Sequence, residues 1–328
     1  MLMTEKPKCR FHSPTKQKCQ ETDMGTGFCF WHDEKFDKSG LNLKDKLERY
    51  AKSGGLLQGL KLKRANLDGL NLVKPGSKEG YDLSGSDFYR ASLKGAHLFN
   101  TKIENGSLMK ANLNEANLHC CSLKDTNLLG IKLFNTRIDN INIGIKILQQ
   151  TQAQSALNEG KKDIALDYYE QSEEIYRDLR KAAEFQGLFE LSGKFSHQEL
   201  IMRRYRYPKW SKRRIFSKFI DLLCGYGEKP LNVIFFSLSL IFCCAMCYFV
   251  FGVSQSNHII HFSLQNSTAD NISALLNSLY FSVVTFTTLG YGDITPVGYS
   301  RFIAACEAFS GSFTLALFVV VFVKKLTR

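Results

Sequence analysis

Thr287-Thr288-Leu289-Gly290-Tyr291-Gly292-Asp293 is the stretch from which the rest of the chain is read. It sits between long apolar runs. Backbone carbonyls of Thr288, Leu289, Gly290 and Tyr291 can face one axis if successive residues alternate in hand. Gly290 and Gly292 permit that alternation without a Cβ penalty. The Thr288 hydroxyl would add an innermost oxygen. Stacked rings of such oxygens replace the water shell of a dehydrated cation. The Leu289 and Tyr291 side chains then point away from the axis, into a wall.

The flanking runs fit a membrane. Residues 231–251 carry no charge; at ~1.5 Å per residue they reach roughly 31 Å, enough to cross a bilayer core. Residues 272–286 are shorter and end at the seven-residue stretch, which suits a re-entrant helix. Asp270 or Asn271 is its expected N-cap, and its C-terminal dipole would favour a cation. Residues 302–323 form the second span, with Glu307 its one charge. Between the spans, residues 252–300 hold no Lys or Arg, whereas both flanks are basic, the second through Lys324, Lys325 and Arg328. The positive-inside rule puts both termini in the cytoplasm. A multi-pass plasma membrane protein is expected.

Residues 231–323 resemble the pore unit of two-transmembrane potassium channels, and residues 287–293 resemble their selectivity filter. Leu289 stands where that family's TVGYG loop has Val. The resemblance implies a K+-selective channel with K+ ions in the filter. It implies a homotetramer, since one chain supplies one filter strand. Tyr280 and Phe281 fall where aromatic residues brace the filter, Asp293 falls at the outer mouth, and Gly311 falls at the gating hinge. Val284 falls where some members carry a Glu paired with the mouth Asp. No Arg-rich helix marks a voltage sensor. With few residues after Val323, regulation is expected to enter through the N-terminal half. Glu307, an acid inside a span, reads either as a hydrogen-bonded pore support behind the re-entrant helix or as a gating group.

The 43 Lys and Arg outnumber the 31 Asp and Glu, for a net charge of +12. Arg203, Arg204, Arg206, Lys209, Lys212, Arg213, Arg214 and Lys218 form a belt ahead of the first span. Anionic lipid head groups are its expected partner; nucleic acid is not. No catalytic constellation stands out, so no enzyme is expected. No signal peptide is visible, and the ten cysteines do not read as a secreted disulfide framework. Cys9, Cys19, Cys29 and His32 read C-x9-C-x9-C-x2-H, a donor set suited to tetrahedral Zn2+. His12 is an alternative fourth ligand, and unliganded reduced cysteines are the alternative state.

Between residues 56 and 145 an apolar residue recurs every fifth position, from Leu57, Leu62, Leu67 and Leu72. After an insertion near Pro75-Gly76 it resumes at Leu83 and Phe88 and runs on to Ile143. A small residue mostly sits two places earlier, as at Ala65, Ser86, Ala91, Gly106 and Ala111. A period of five fits neither helix nor strand. The pattern resembles the pentapeptide-repeat family, which implies a right-handed quadrilateral β-helix with four units per coil and capped ends. Twelve Lys and Arg against eight Asp and Glu in this region argue against the acidic DNA mimicry of some members; a scaffold fits better.

Residues 150–207 turn helical. Ile164, Tyr168, Ile175, Leu179 and Ala182 follow a helical spacing, Gly187 and Gly193 interrupt it, and Ser196-His197-Gln198-Glu199 reads as a capping box. Such helices must bury an apolar face, with a neighbouring subunit as candidate. The expected fold is multidomain. Residues 1–45 are a Cys/His-rich cap, and residues 46–147 a pentapeptide-repeat β-helix. Residues 148–229 are an α-helical linker with the basic segment, and residues 230–328 a tetrameric α-helical pore domain of two spans and a pore helix. A poorly selective cation channel, or an anchored scaffold with a vestigial pore, are the alternatives.

Overall fold

The computed structural model describes residues 7–77, 79–256 and 258–326. The chain divides into two units, Met1–Lys209 and Trp210–Arg328.

In the first unit the period of five becomes a four-sided coil. Asp82 pairs in parallel with Lys102, Asp87 with Ser107, Ser92 with Asn112 and His97 with Asn117, so each turn takes 20 residues. Earlier, Lys61 pairs with Asp87 and Asn66 with Ser92, 26 residues apart. The insertion near Pro75-Gly76 therefore loops out six residues and leaves the register intact. The recurring Leu, Phe and Ile residues from Leu57 to Ile138 are buried in one continuous core with the small residues beside them. Each buried aliphatic side chain is worth about 1.5–3 kcal/mol. Small size is enforced: a Cβ on Gly106 would stand 2.7 Å from the Ser86 carbonyl oxygen. Each unit turns its corner on a left-handed residue, among them Gly85, Gly95, Asn100, Asn105, Asp125, Gly130 and Asn135. Gly, Asn or Asp holds most of these corners, as those residue types adopt that conformation most readily, but Arg64, Arg90, Lys110, Glu115 and Cys120 take it too.

Both ends of the coil are closed by the chain itself. At the N-terminal end, residues 40–43 add a strand, with Asn42 paired to Asn66. Helix α1 (Lys44–Lys52) then buries Leu47 and Tyr50. At the other end lie α2 (Leu148–Asn158), α3 (Lys162–Phe185) and α4 (Phe189–Tyr205). Gln186 donates to the Thr136 carbonyl and accepts from the Ile138 amide at 3.0 Å. The helices therefore bury apolar side chains on the last coil of their own chain.

Three helical details differ from the sequence reading. Ile175, Leu179 and Ala182 are buried on α3 as expected, but its stripe begins at Ala165 and Tyr169, whereas Ile164 is exposed and Tyr168 half-buried; packing against α2, where Tyr176 donates to Gln150 at 2.8 Å, shifts the face by one residue only in the first turns. Gly187 does end α3, with φ of 68°, but Gly193 is buried inside α4. Ser196 to Glu199 are mid-helix and not a capping box. The Glu199 carboxylate instead accepts from Arg180 and Arg203.

The second unit opens with α5 (Lys212–Cys224), a 3-10 turn at Gly225–Gly227, and α6 (Pro230–Phe251). Strands β1 (Val253–Gln255) and β2 (His258–Ile260) follow, then α7 (Thr268–Phe286), β3 (Ile294–Pro296) and α8 (Ser300–Leu326). The strands form an antiparallel sheet in the order β2-β1-β3, which three-residue strands give no periodicity to announce. α6 and α8 are long and apolar enough to cross a membrane. Arg328 lies outside the described residues. The basic belt is split. Arg203 and Arg206 lie in the first unit and pair with Glu173, so only its later part, from Lys212 onward, belongs to the pore unit.

Candidate ion-conduction site and a candidate metal centre

α7 leads directly into residues 287–293, the expected filter. Its N-cap is Ser267, neither Asp270 nor Asn271. The Ser267 hydroxyl accepts from the Asp270 amide while the Asp270 carboxylate accepts from the Ser267 amide. Asn271 is instead tied back to Ser263, donating to its carbonyl at 3.0 Å. At the other end the helix runs straight into the filter: the Leu289 amide donates to the Val284 carbonyl at 3.1 Å.

The backbone from Thr288 to Gly292 alternates in hand. Thr288, Gly290 and Gly292 have φ of 57°, 59° and 80°, with Leu289 and Tyr291 between them outside the left-handed region. Gly290 and Gly292 behave as their lack of a Cβ allows. Thr288 is the surprise, because a β-branched residue rarely adopts this region and its sequence carries no sign of it; strain of this kind collects at functional sites. In the single chain the Thr288 hydroxyl donates to the Thr287 carbonyl at 2.7 Å. Leu289 and Tyr291 are more than half exposed.

Tyr280, Phe281 and Val284 all lie on α7. Phe281 is buried, with its ring 4.8 Å from that of Tyr248 on α6 in an edge-on contact. Val284, where some channels carry a Glu paired with the mouth acid, is buried. Glu307 is 1% exposed. It accepts from Tyr248 at 2.6 Å and from Ser282 at 2.5 Å, which joins α8 to α6 and α7. Gly311, one turn on, is held against α7: a Cβ there would stand 2.1 Å from the Phe286 carbonyl oxygen. α8 passes through Gly311 without a break.

In the first unit, Cys9, Cys19, Cys29 and His32 are all buried, with their donor atoms within 4.8 Å of one another. The Cys19 and Cys29 sulfurs are 3.8 Å apart. A Zn–S bond of ~2.3 Å in a tetrahedron sets an S···S edge of about 3.8 Å. His32 Nδ1 lies 3.2 Å from the Cys29 sulfur, and Nε2 lies 2.9 Å from the Gln58 carbonyl oxygen. The carbonyl can only accept, so the proton sits on Nε2 and the Nδ1 lone pair faces the sulfurs. Burial pushes the Cys29 thiol up to about 12 and raises Cys19 also; it lowers His32 to about 4, which keeps the imidazole neutral. All the cysteines are free thiols. These four groups can hold a thiophilic divalent metal, which must displace protons to bind. His12 is no part of the cluster; it is exposed, with Nδ1 2.8 Å from the Arg10 carbonyl oxygen.

Comparison with known proteins follows the same division. An ion channel family model matches residues 235–328, and a pentapeptide repeat model matches eight copies over residues 91–130. Protein LctB of Bacillus caldotenax is 37% identical over 83 residues, which are 25% of this chain and 60% of that protein. Potassium channel subfamily T member 1 of Homo sapiens is 35% identical over 65 residues, 20% of this chain and 5% of that protein. The chain thus spans at most three fifths of the length of these curated relatives. A solved pentapeptide repeat protein of the cyanobacterium Cyanothece overlaps 32% of this chain and 98% of its own, at 20% identity and a TM-score of 0.21. The chain therefore joins an ion-channel domain with two membrane-length helices, similar over its matched stretch to a human potassium channel, to a pentapeptide-repeat region.

Proposed function

We propose that the protein is a K+-selective channel in which residues 287–293 of four identical chains surround one axis. The observation that carries this reading is the alternation of hand at Thr288, Gly290 and Gly292, directly after a capped pore helix and between two membrane-length helices. Alternation turns successive carbonyls to one side, as an oxygen ladder for a dehydrated cation requires. Leu289 and Tyr291, exposed in one chain, are the side chains that neighbouring copies would cover. Basic flanks place both termini in the cytoplasm of a plasma-membrane protein. The cations from Lys212 onward face anionic lipid. The N-terminal half serves assembly or gating, in the segments 1–45, 46–147 and 148–229 ahead of the pore domain 230–328. Cys9, Cys19, Cys29 and His32 hold one structural Zn2+ per chain.

The test is flux from the purified protein in liposomes, K+ against Na+. Strong preference for K+ is expected, and Gly290→Ala should abolish it because φ of 59° strains any residue with a Cβ. Equal K+ and Na+ flux in the unmutated protein sinks the selective reading.

A further inference from the structure

Lys38 is buried where a cation has no evident reason to be. It is 2% exposed. Its ammonium donates to the Asp33 carbonyl at 2.8 Å and stands 5.4 and 5.5 Å from the rings of Phe30 and Phe36. No carboxylate pairs with it among the described residues. The nearest in sequence, Asp33, spends its carboxylate on the Thr26 hydroxyl and the Lys35 amide, each at 2.7 Å. Burying an ammonium without a directly bonded carboxylate is costly; burial lowers the proton affinity of Lys38, while charge on Asp33, Cys29 and Asp37 raises it.

The ammonium is tied to the turn that carries two of the metal ligands. The Asp33 amide donates to the Cys29 carbonyl at 2.9 Å and the His32 amide to the same carbonyl at 3.1 Å. The Asp33 carbonyl in turn holds Lys38. A divalent metal on three thiolates and a neutral imidazole leaves one net negative charge, shut inside the cap. We propose that Lys38 is the built-in counter-cation of the Cys9, Cys19, Cys29 and His32 centre, offsetting the net negative charge that metal-bound thiolates bring into the cap. This rests on the metal reading above.

The full chain in detergent, stripped with a chelator, is titrated with Zn2+ against a chromophoric competitor. Lys38→Met keeps the length of the side chain without its charge; Lys38→Gln is the second variant, should the first not fold. Hydrogen exchange over residues 29–38 is read with and without Zn2+. Unmutated protein should bind one Zn2+ per chain. Both variants should bind about ten- to a hundredfold more weakly, yet the stripped variants should be protected about as well as the stripped parent, since the metal-free thiols carry no charge for Lys38 to offset. Equal affinity in the variants overturns the counter-cation role. So does loss of protection in both states, which marks Lys38 as packing alone. A parent that binds no Zn2+ overturns the metal reading itself.

Discussion

Tyr248 on α6 donates a 2.6 Å hydrogen bond to Glu307 on α8, the acid that also accepts from Ser282 on α7. Glu307 and Gly311 are one turn apart and face Ser282 and Phe286, also one turn apart. Two rungs thus fasten α8 to the last turns of α7, immediately before the proposed filter begins at Thr287.

Removing the upper rung should loosen the filter. In Glu307→Ala the Ser282 hydroxyl still reaches the Ile241 carbonyl at 2.8 Å, but Tyr248 loses its acceptor in a buried, apolar place. The expected loss is about 1–3 kcal/mol per chain, with a smaller loss for Tyr248→Phe, read as thermal dissociation of the purified oligomer. The K+/Na+ flux ratio should fall in Glu307→Ala. An unchanged ratio with lowered stability would assign Glu307 to folding alone.

The lower rung separates two roles for Gly311. A hinge would tolerate Ala with altered gating. Contact at 2.1 Å with the Phe286 carbonyl does not, since ordinary van der Waals contact begins near 3.4 Å. Gly311→Ala should therefore push α8 off α7, at about 1–3 kcal/mol or more, and lower the yield of intact oligomer. Normal yield with changed open probability would favour the hinge.

The parts of this fold that the sequence announced are those where composition is forced. Leu or Phe every fifth residue, Gly290 and Gly292 in the filter, and an uncharged run over α6 each follow from one physical demand. Tertiary context decided what stayed hidden. Ile164 and Ala165 offer α3 equally plausible faces until α2 chooses between them. Ser196-His197-Gln198-Glu199 has the composition of a helix start and lies inside α4, because α4 already begins beyond Gly187 and Glu199 is claimed by arginines. Ser267 outcompeted Asp270 as N-cap by using Asp270 as its own partner. The conformation of Thr288 runs against its residue type, so no reading of propensity could supply it.

The α3–α4 pair should be acid-labile. Glu173 is buried; burial alone would raise its carboxyl, but bonds from Arg206 and Arg203 outweigh this and hold it below the usual range. A carboxyl lowered in the folded state contributes stability above its unfolded value, about 4.3, and loses it as pH falls through the folded value. Hydrogen-exchange protection of α4 should hold at neutral pH and collapse below about pH 4. Glu173→Gln should lower protection at pH 7 and flatten the acid response. An acid profile identical in Glu173→Gln removes Glu173 as the source.

The C-terminal end of α8 is tied to the segment that leads into α6. Lys324, in the last turn of α8, pairs with Glu228 at 2.7 Å, just after the 3-10 turn that follows α5. Beneath the pair, Cys224, Val233 and Val321 form a small buried cluster joined by Ile220, Leu317 and Phe318. α5 itself turns Phe216, Phe219 and Leu222 outward, an amphipathic basic helix of the kind that lies in a membrane surface. A movement of α5 in that surface therefore reaches α8 through the ion pair and the cluster, with no need for the helix to be pulled from beyond its end. The Glu228 carboxylate is 10% exposed and the Lys324 side chain 38%, so the pair is only partly screened. Lys324→Glu should place two acids together, part α8 from the α5–α6 turn and change single-channel open probability severalfold. The double exchange Glu228→Lys with Lys324→Glu should return it toward the parent. Failure of the exchange to restore gating, with each single variant altered, would leave the cluster and not the charge pair as the link. Open probability unchanged in every variant would mean that α5 is a passive tether.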